Sequence, residues 1–273
     1  MLVVFLADDP APYAILPSMT ILESILLGIV EGVTEFLPIS STGHLILVSS
    51  LLGVLQTDFT KSFEIAIQLG AILAVITLFW RSFLKVETLA KVVVAFVPTG
   101  VIGFALYHIL KSYLLGNTTV VVFSLFVGGI IFIVFERWIG TRELPTPTPS
   151  TYRQAFLVGV CQAVAIIPGI SRSGATIIGG LALGIERAVI VEFSFLLAVP
   201  TMLAATCLDL AKSGFLFTRY EWLVLCIGFT SSFLVALPSV RWLLKYVRRH
   251  SFVPFGIYRI CVALVFGAVL FFS

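Results

Sequence analysis

The sequence predicts an all-α integral membrane protein of six transmembrane helices plus two re-entrant helix hairpins, arranged as an inverted-topology repeat. Three observations carry this reading. Hydrophobic residues make up 59% of the 273-residue chain and charged residues 11%, with a mean hydropathy of +1.13. Soluble domains carry about 25% charged residues. Six apolar runs are long enough to cross a bilayer, which takes about 20 residues. Finally, GIVEGVTEFLPISSTGH (28–44) and GVCQAVAIIPGISRSGA (159–175) are degenerate copies of one segment, 131 positions apart. Gly28 falls on Gly159, Glu31 on Gln162, Ser40 on Ser171, Thr42 on Ser173 and Gly43 on Gly174.

Along the chain, MLVVFLADDP has no positive charge before its very short apolar stretch and two aspartates after it. It is not read as a signal peptide. Residues 1–18 are taken as an extension, with Met19 as a second candidate start, and 19–273 as one membrane domain. Runs 21–37 and 44–55 are short or interrupted and hinge on the first copy of the repeat. Runs 62–80, 92–110 and 118–136 are full spans. RELPTPTPST (142–151) is a Pro/Thr-rich connector between repeat 1 (about 19–136) and repeat 2 (about 150–273). Runs 154–168 and 174–184 hinge on the second copy; 187–211, 221–240 and 253–272 are full spans. Cys161, Cys207, Cys226 and Cys261 stand singly in apolar runs and read as small core hydrophobes.

Three spans separate the hairpins, an odd number, so the second hairpin is upside down relative to the first. The two then enter from opposite faces and their tips can meet near the midplane. One face receives Arg81, Lys85, Lys91, Arg137, Arg142, Arg153, Arg187, Arg241, Lys245, Arg248 and Arg249; the other receives Lys61, Lys111, Lys212 and Arg219. The positive-inside rule places the first group in the cytoplasm and the first hairpin outside. The net charge of +3 is spread over short loops and does not argue for nucleic acid.

Ionisable groups inside membrane segments are costly and default to function. Here they are Glu23, Glu31, Glu35, His44, Glu64, Arg172, Glu192 and Arg259. Glu31 and Glu35 are one helical turn apart on one face, so something positive belongs beside them. A divalent cation, Mg²⁺ or Ca²⁺, fits such a pair and can bridge to phosphate. The competing reading is one protonated glutamate satisfied by hairpin backbone. The tip PISSTGH (38–44) offers Ser40, Ser41, Thr42, Gly43 and His44. A helix restarting there points free N–H groups at an anion. PGISRSGAT (168–176) repeats this with Ser171, Ser173, Gly174 and Thr176, and adds Arg172, whose planar fork suits phosphate oxygens. Serines in such turns also serve as plain helix caps. Glu64 and Gln68 read either as support for the first tip or as packing polar groups; Glu23 reads as interfacial, and Glu192 with Arg259 as an inter-helix pair.

At EGVTEFLPISSTGH and PGISRSGAT the chain closely resembles the undecaprenyl-pyrophosphate phosphatase family of bacteria, also known as bacitracin-resistance proteins. The resemblance continues through FEIAIQLGAILAV (63–75), TYRQAFLVG (151–159), EFSFLLAVP (192–200) and SFVPFGIYR (251–259). It implies a hydrolase that removes one phosphate from a C55 polyprenyl pyrophosphate, recycles the lipid carrier of cell-wall synthesis and confers bacitracin resistance. It also implies a divalent cation and a site open to the outer, periplasmic side of the cytoplasmic (inner) membrane. Glu31 and Glu35 would hold the metal, or one would act as acid/base; Arg172 would neutralise the transferring phosphoryl. Ser41 with His44 as base, His44 itself, or water would be the nucleophile. The expected partners are the polyprenyl pyrophosphate, membrane lipids and, at most, a second copy in a homodimer. The competing class is a lipid-phosphate transporter or flippase, which would use the same inverted-repeat anion site. A channel is disfavoured, because no full span carries a polar stripe.

Overall fold

The structure is a computed structural model, and it describes residues 19–109, 117–139, 151–213 and 217–272. Residues 1–18, Lys111, Arg142 and most of the 142–151 connector lie outside the described residues, as does the side chain of Lys212. All regular structure among the described residues is helical: α1 (Ile21–Thr34), α2 (Ser41–Leu51), α3 (Asp58–Phe83), α4 (Val86–Ile109), α5 (Thr118–Ile139), α6 (Tyr152–Ala163), α7 (Arg172–Ala182), α8 (Arg187–Ser213), α9 (Arg219–Val247) and α10 (Val253–Phe272). Six of them, α3, α4, α5, α8, α9 and α10, are long and apolar enough to cross a membrane. They coincide with the six runs read from the sequence.

Both breaks follow from local chemistry. A residue before proline is pushed out of the helical region, and Pro38 and Pro168 follow the ends of α1 and α6. After Pro38, Ser40 takes a left-handed φ of 73° and caps α2, its Oγ accepting from Gly43 N at 3.4 Å. After Pro168, Gly169 has φ 90°, and Ser171 caps α7, its Oγ accepting from Gly174 N at 3.1 Å. A 3₁₀ turn, Val164–Ile166, extends α6 towards the second break.

The halves are interlocked. α1 packs on α9, and α6 packs on α4, while α3 meets α8 and α5 meets α10. Exchanging the halves maps α1 on α9 onto α6 on α4, and the other two contacts onto themselves. Close approach at both swapped contacts needs glycine. A Cβ on Gly28 would stand 2.5 Å from Gly228 O, and one on Gly159, its repeat mate, 1.9 Å from Ala95 O.

Contacts also fix the directions. Ser24 Oγ donates to Val224 O at 2.7 Å, so the starts of α1 and α9 lie together. Lys91, near the start of α4, stands 5.9 Å from the ring of Tyr152, at the start of α6. Ser82, near the end of α3, donates to Glu192, near the start of α8, at 3.4 Å, so α3 and α8 run antiparallel. Gln162 joins Thr99 of α4, at 2.9 Å, to Thr201 of α8, at 3.1 Å, near the middle of both helices. The tips of the two broken pairs meet inside the bundle, where Arg172 reaches Glu35 and Ser173 reaches Leu37 O. At one end Glu136 of α5 accepts from Arg187 of α8 and, at 2.8 Å, from Phe252 N, tying three helices together.

Two sequence readings change. Three cysteines, Cys207, Cys226 and Cys261, are exposed on the outer surface of the bundle and Cys161 is half-buried, so none is a core hydrophobe. Their small size suits a lipid-facing surface equally well. Glu192 does not pair with Arg259: it accepts from Ser82, and Arg259 turns towards backbone carbonyls elsewhere.

Candidate active site

The tips of the two broken pairs converge on Glu35, the residue that follows the last turn of α1. Ser41, the first residue of α2, donates its hydroxyl to Glu35 Oε2. Arg172, the first residue of α7, donates from Nη2 to Glu35 Oε1 at 2.7 Å. Ser41 and Arg172 occupy equivalent positions of the repeat, so each half delivers one group to the same carboxylate. The second guanidinium nitrogen, Nη1, is held at 2.9 Å by Ser194 O of α8. The Arg172 Nε is buried with no acceptor.

Glu31 lies one turn before Glu35 and is fully buried, and both of its carboxylate oxygens lack any hydrogen-bond donor. A buried charge left unpaired costs several kcal/mol. Its counterpart in the second half, Gln162, is tied to Thr99 Oγ1 at 2.9 Å and Thr201 Oγ1 at 3.1 Å. The same position is thus a packing group in one half and an unpaired acid in the other. Among the described residues no cluster of three or more His, Cys, Asp and Glu side chains stands ready for a metal. The carboxylates available to a cation are Glu31, with both oxygens free, and Glu35, with both oxygens engaged.

His44, a turn into α2, is buried. Its Nδ1 lies 2.8 Å from Ser40 O and its Nε2 2.8 Å from the Tyr258 hydroxyl of α10. The structure brings Ser41 to Glu35 rather than to His44, so the serine–histidine pair, one of the three alternatives the sequence left open, is not formed.

The remaining tip residues hold the two restarts together. Ser173 Oγ donates to Leu37 O, joining the tips at 3.0 Å, and lies 3.0 Å from Ser171 Oγ. Thr176 pairs with the Ser194 hydroxyl at 2.6 Å. Thr42, half-buried, and buried Gly43 complete the first turn of α2, and buried Gly174 that of α7. Helix starts leave their first backbone N–H groups without internal partners, and α2 and α7 bring two such starts to one place. Glu64 reaches Ser49 of α2 at 2.7 Å rather than the tip itself. Glu23 closes the capping box of α1 with Thr20.

Three site residues escaped the sequence reading in their actual roles. Arg259 of α10, 1% exposed, donates to Gly169 O at 3.0 Å, Ser124 O at 3.2 Å, and Pro38 O and Leu125 O at 3.4 Å. One guanidinium thereby fastens both tips to α5. Ser194 and Tyr258 are the other two. Each sits inside a stretch already singled out, EFSFLLAVP and SFVPFGIYR. A polar side chain within an apolar span was the available signal.

Fold and cluster define a polytopic membrane protein with a buried acid, arginine, hydroxyl and imidazole centre assembled from two interlocked halves. Comparison with known proteins gives the class a family. The family described as bacitracin resistance protein BacA matches residues 24–265. The undecaprenyl-diphosphatase of Aquifex aeolicus is 51% identical over 262 residues, covering 93% of this chain and 100% of the relative. That of Sulfurihydrogenibium sp. is 50% identical, covering 91% of this chain and 98% of its own. That of Thermus thermophilus is 47% identical, covering 90% and 95%. The chain belongs to the BacA family.

Proposed function

We propose that this protein is a membrane phosphatase that hydrolyses undecaprenyl pyrophosphate to undecaprenyl phosphate and inorganic phosphate. This activity recycles the lipid carrier of the cell wall and confers bacitracin resistance. The observation that carries the reading is the convergence of Ser41 and Arg172 on Glu35. A hydroxyl hydrogen-bonded to a carboxylate is a nucleophile with its base in place. A carrier needs affinity for the anion but has no use for that pair, so the hydrolase is preferred over a flippase.

In this scheme Glu35 takes the Ser41 proton as Oγ bonds to the terminal phosphorus. The bond from that phosphorus to the bridging oxygen breaks, and undecaprenyl phosphate leaves. Arg172 offers its free Nε to a phosphoryl oxygen, where donors aimed at developing charge contribute most. Backbone N–H groups at the starts of α2 and α7 receive the remaining oxygens. Water then attacks the phosphoserine and gives up a proton that reaches His44 Nε2 by way of the Tyr258 hydroxyl, while protonated Glu35 returns its proton to Ser41. Glu31 and Glu35 would hold Mg²⁺ or Ca²⁺, which when bound supplies neutralisation of the dense pyrophosphate charge. The two free, buried oxygens of Glu31 support that donor set.

The broken pairs are read as re-entrant in the cytoplasmic (inner) membrane, with the site open to the periplasmic side. The distribution of cations, eleven against four, supports that orientation. Purified protein supplied with a C55 polyprenyl pyrophosphate in detergent is expected to release phosphate, to stop when EDTA is added, and to recover with Mg²⁺ or Ca²⁺. Absence of release under all three conditions overturns the reading.

A further inference from the structure

We infer that Tyr258 is a positioning residue of this site, acting through His44 to fix the nitrogen at which the imidazole exchanges its proton. The inference rests on the phosphatase reading above. A backbone carbonyl can only accept, so the 2.8 Å contact with Ser40 O requires the proton on Nδ1 in every charge state of the ring. Ser40 presents that carbonyl from a left-handed conformation, φ 73°. A non-glycine residue is held there only when its surroundings demand it. Nε2 is then the one position where His44 gains or loses a proton. The Tyr258 hydroxyl stands on it at 2.8 Å and donates to it when the ring is neutral. The two rings also stack, centroids 5.5 Å apart and planes within 5°, so the hydroxyl is set in line by packing. Arg259, the next residue, is the charged group facing this pair from α10, and its guanidinium makes four hydrogen bonds to carbonyls, which leaves the imidazole to Tyr258.

His44 is 8% exposed and Tyr258 43%. Tyr258 is therefore the more exposed partner of the pair. A proton passing between the buried imidazole and the outside crosses the Tyr258 oxygen. Substitution by Phe keeps the stacked ring and deletes only that oxygen.

Three measurements on the purified full chain test this. Tyr258→Phe is expected to lower kcat roughly tenfold, with KM changed by less than about twofold and the melting temperature kept. In a His44→Gln background the same substitution is expected to lower the residual kcat by less than about twofold, since residues acting as one unit are not additive. ¹⁵N-histidine spectra of a His108→Gln, His250→Gln protein are expected to show a neutral ring protonated at Nδ1, and Tyr258→Phe is expected to move the Nε2 signal. Equal losses in both backgrounds, a change confined to KM, an unaltered kcat, or an Nε2-protonated ring overturns the inference. If wild-type protein releases no phosphate, the phosphatase reading fails instead, and the spectra still decide the hydrogen bond.

Discussion

Glu35 is the residue on which the two halves of the chain act together, and its two oxygens are already assigned, one to Ser41 and one to Arg172. Glu35→Gln keeps the shape and an acceptor but removes the base. It is expected to cut phosphate release at least about a hundredfold while the protein still melts as wild type. Near-normal turnover across a range of Mg²⁺ and Ca²⁺ would sink the role given to Glu35. Arg172→Lys keeps the charge and loses the fork. We expect kcat to fall by roughly a hundredfold or more, with a smaller rise in KM. Arg172→Ala leaves Glu35 buried with Ser41 as its remaining partner, and is expected to cost about 3–5 kcal/mol of stability as well, seen as a lower melting temperature in detergent. A KM effect alone in the lysine variant would make Arg172 a binding group. At this scale the sequence was informative about identity and less so about partnership. Glu31, Glu35, Ser41 and Arg172 were legible because charge and hydroxyls interrupt apolar helices. The Ser41–Glu35 bond was not, because the two stand six positions apart across a helix break. Nor was the Arg259 contact set, since backbone carbonyls leave no mark in a sequence.

Helices are positioned here by glycines at repeat-related places. Gly159 touches the Ala95 carbonyl of α4 so closely that any side chain must push the helices apart. Gly159→Leu is expected to destabilise by at least about 1–3 kcal/mol and to lower activity through the displaced second tip. Gly103 is the control: a Cβ there meets Ile166 alone, at 3.6 Å. Gly103→Ala should melt at or slightly above wild type, because alanine favours the helix. Comparable melting of Gly159→Leu and wild type would show that α6 does not dock as described. The elements themselves were readable throughout. Six long runs and four short ones became six long helices and four short ones, with ends displaced by a few residues. α3 begins at Asp58 rather than 62 because Thr57 caps it, its hydroxyl accepting from Thr60 N at 3.1 Å. Which helix packs on which was beyond periodicity, since lipid-facing and core-facing sides of these spans are almost equally apolar.

For the whole molecule, the orientation is open to a direct check. With the native cysteines replaced, a cysteine at exposed Asp58 is expected to react with a membrane-impermeant thiol reagent in intact spheroplasts, and one at exposed Arg249 is not. The reverse pattern overturns the outward-facing site. The odd span count predicts that the broken pairs open at opposite ends, because reversal of chain direction is arithmetic. It carried no hint that α1 and α6 would each lean on a helix of the other half, α1 on one made long after it and α6 on one made shortly before it. That difference has a consequence in time. The bond from Ser24 to Val224 spans 200 residues, whereas the one from Thr99 to Gly159 spans 60. When α6 leaves the ribosome, its seat on α4 already exists. α1 has no seat until α9 has been made. At about 5–20 residues per second, the first half waits roughly 10–40 s with Ser24 and Glu31 uncovered. The nascent chain must therefore be sheltered through most of its own synthesis, and the polar groups that make the site are what the cell's insertion machinery has to protect longest.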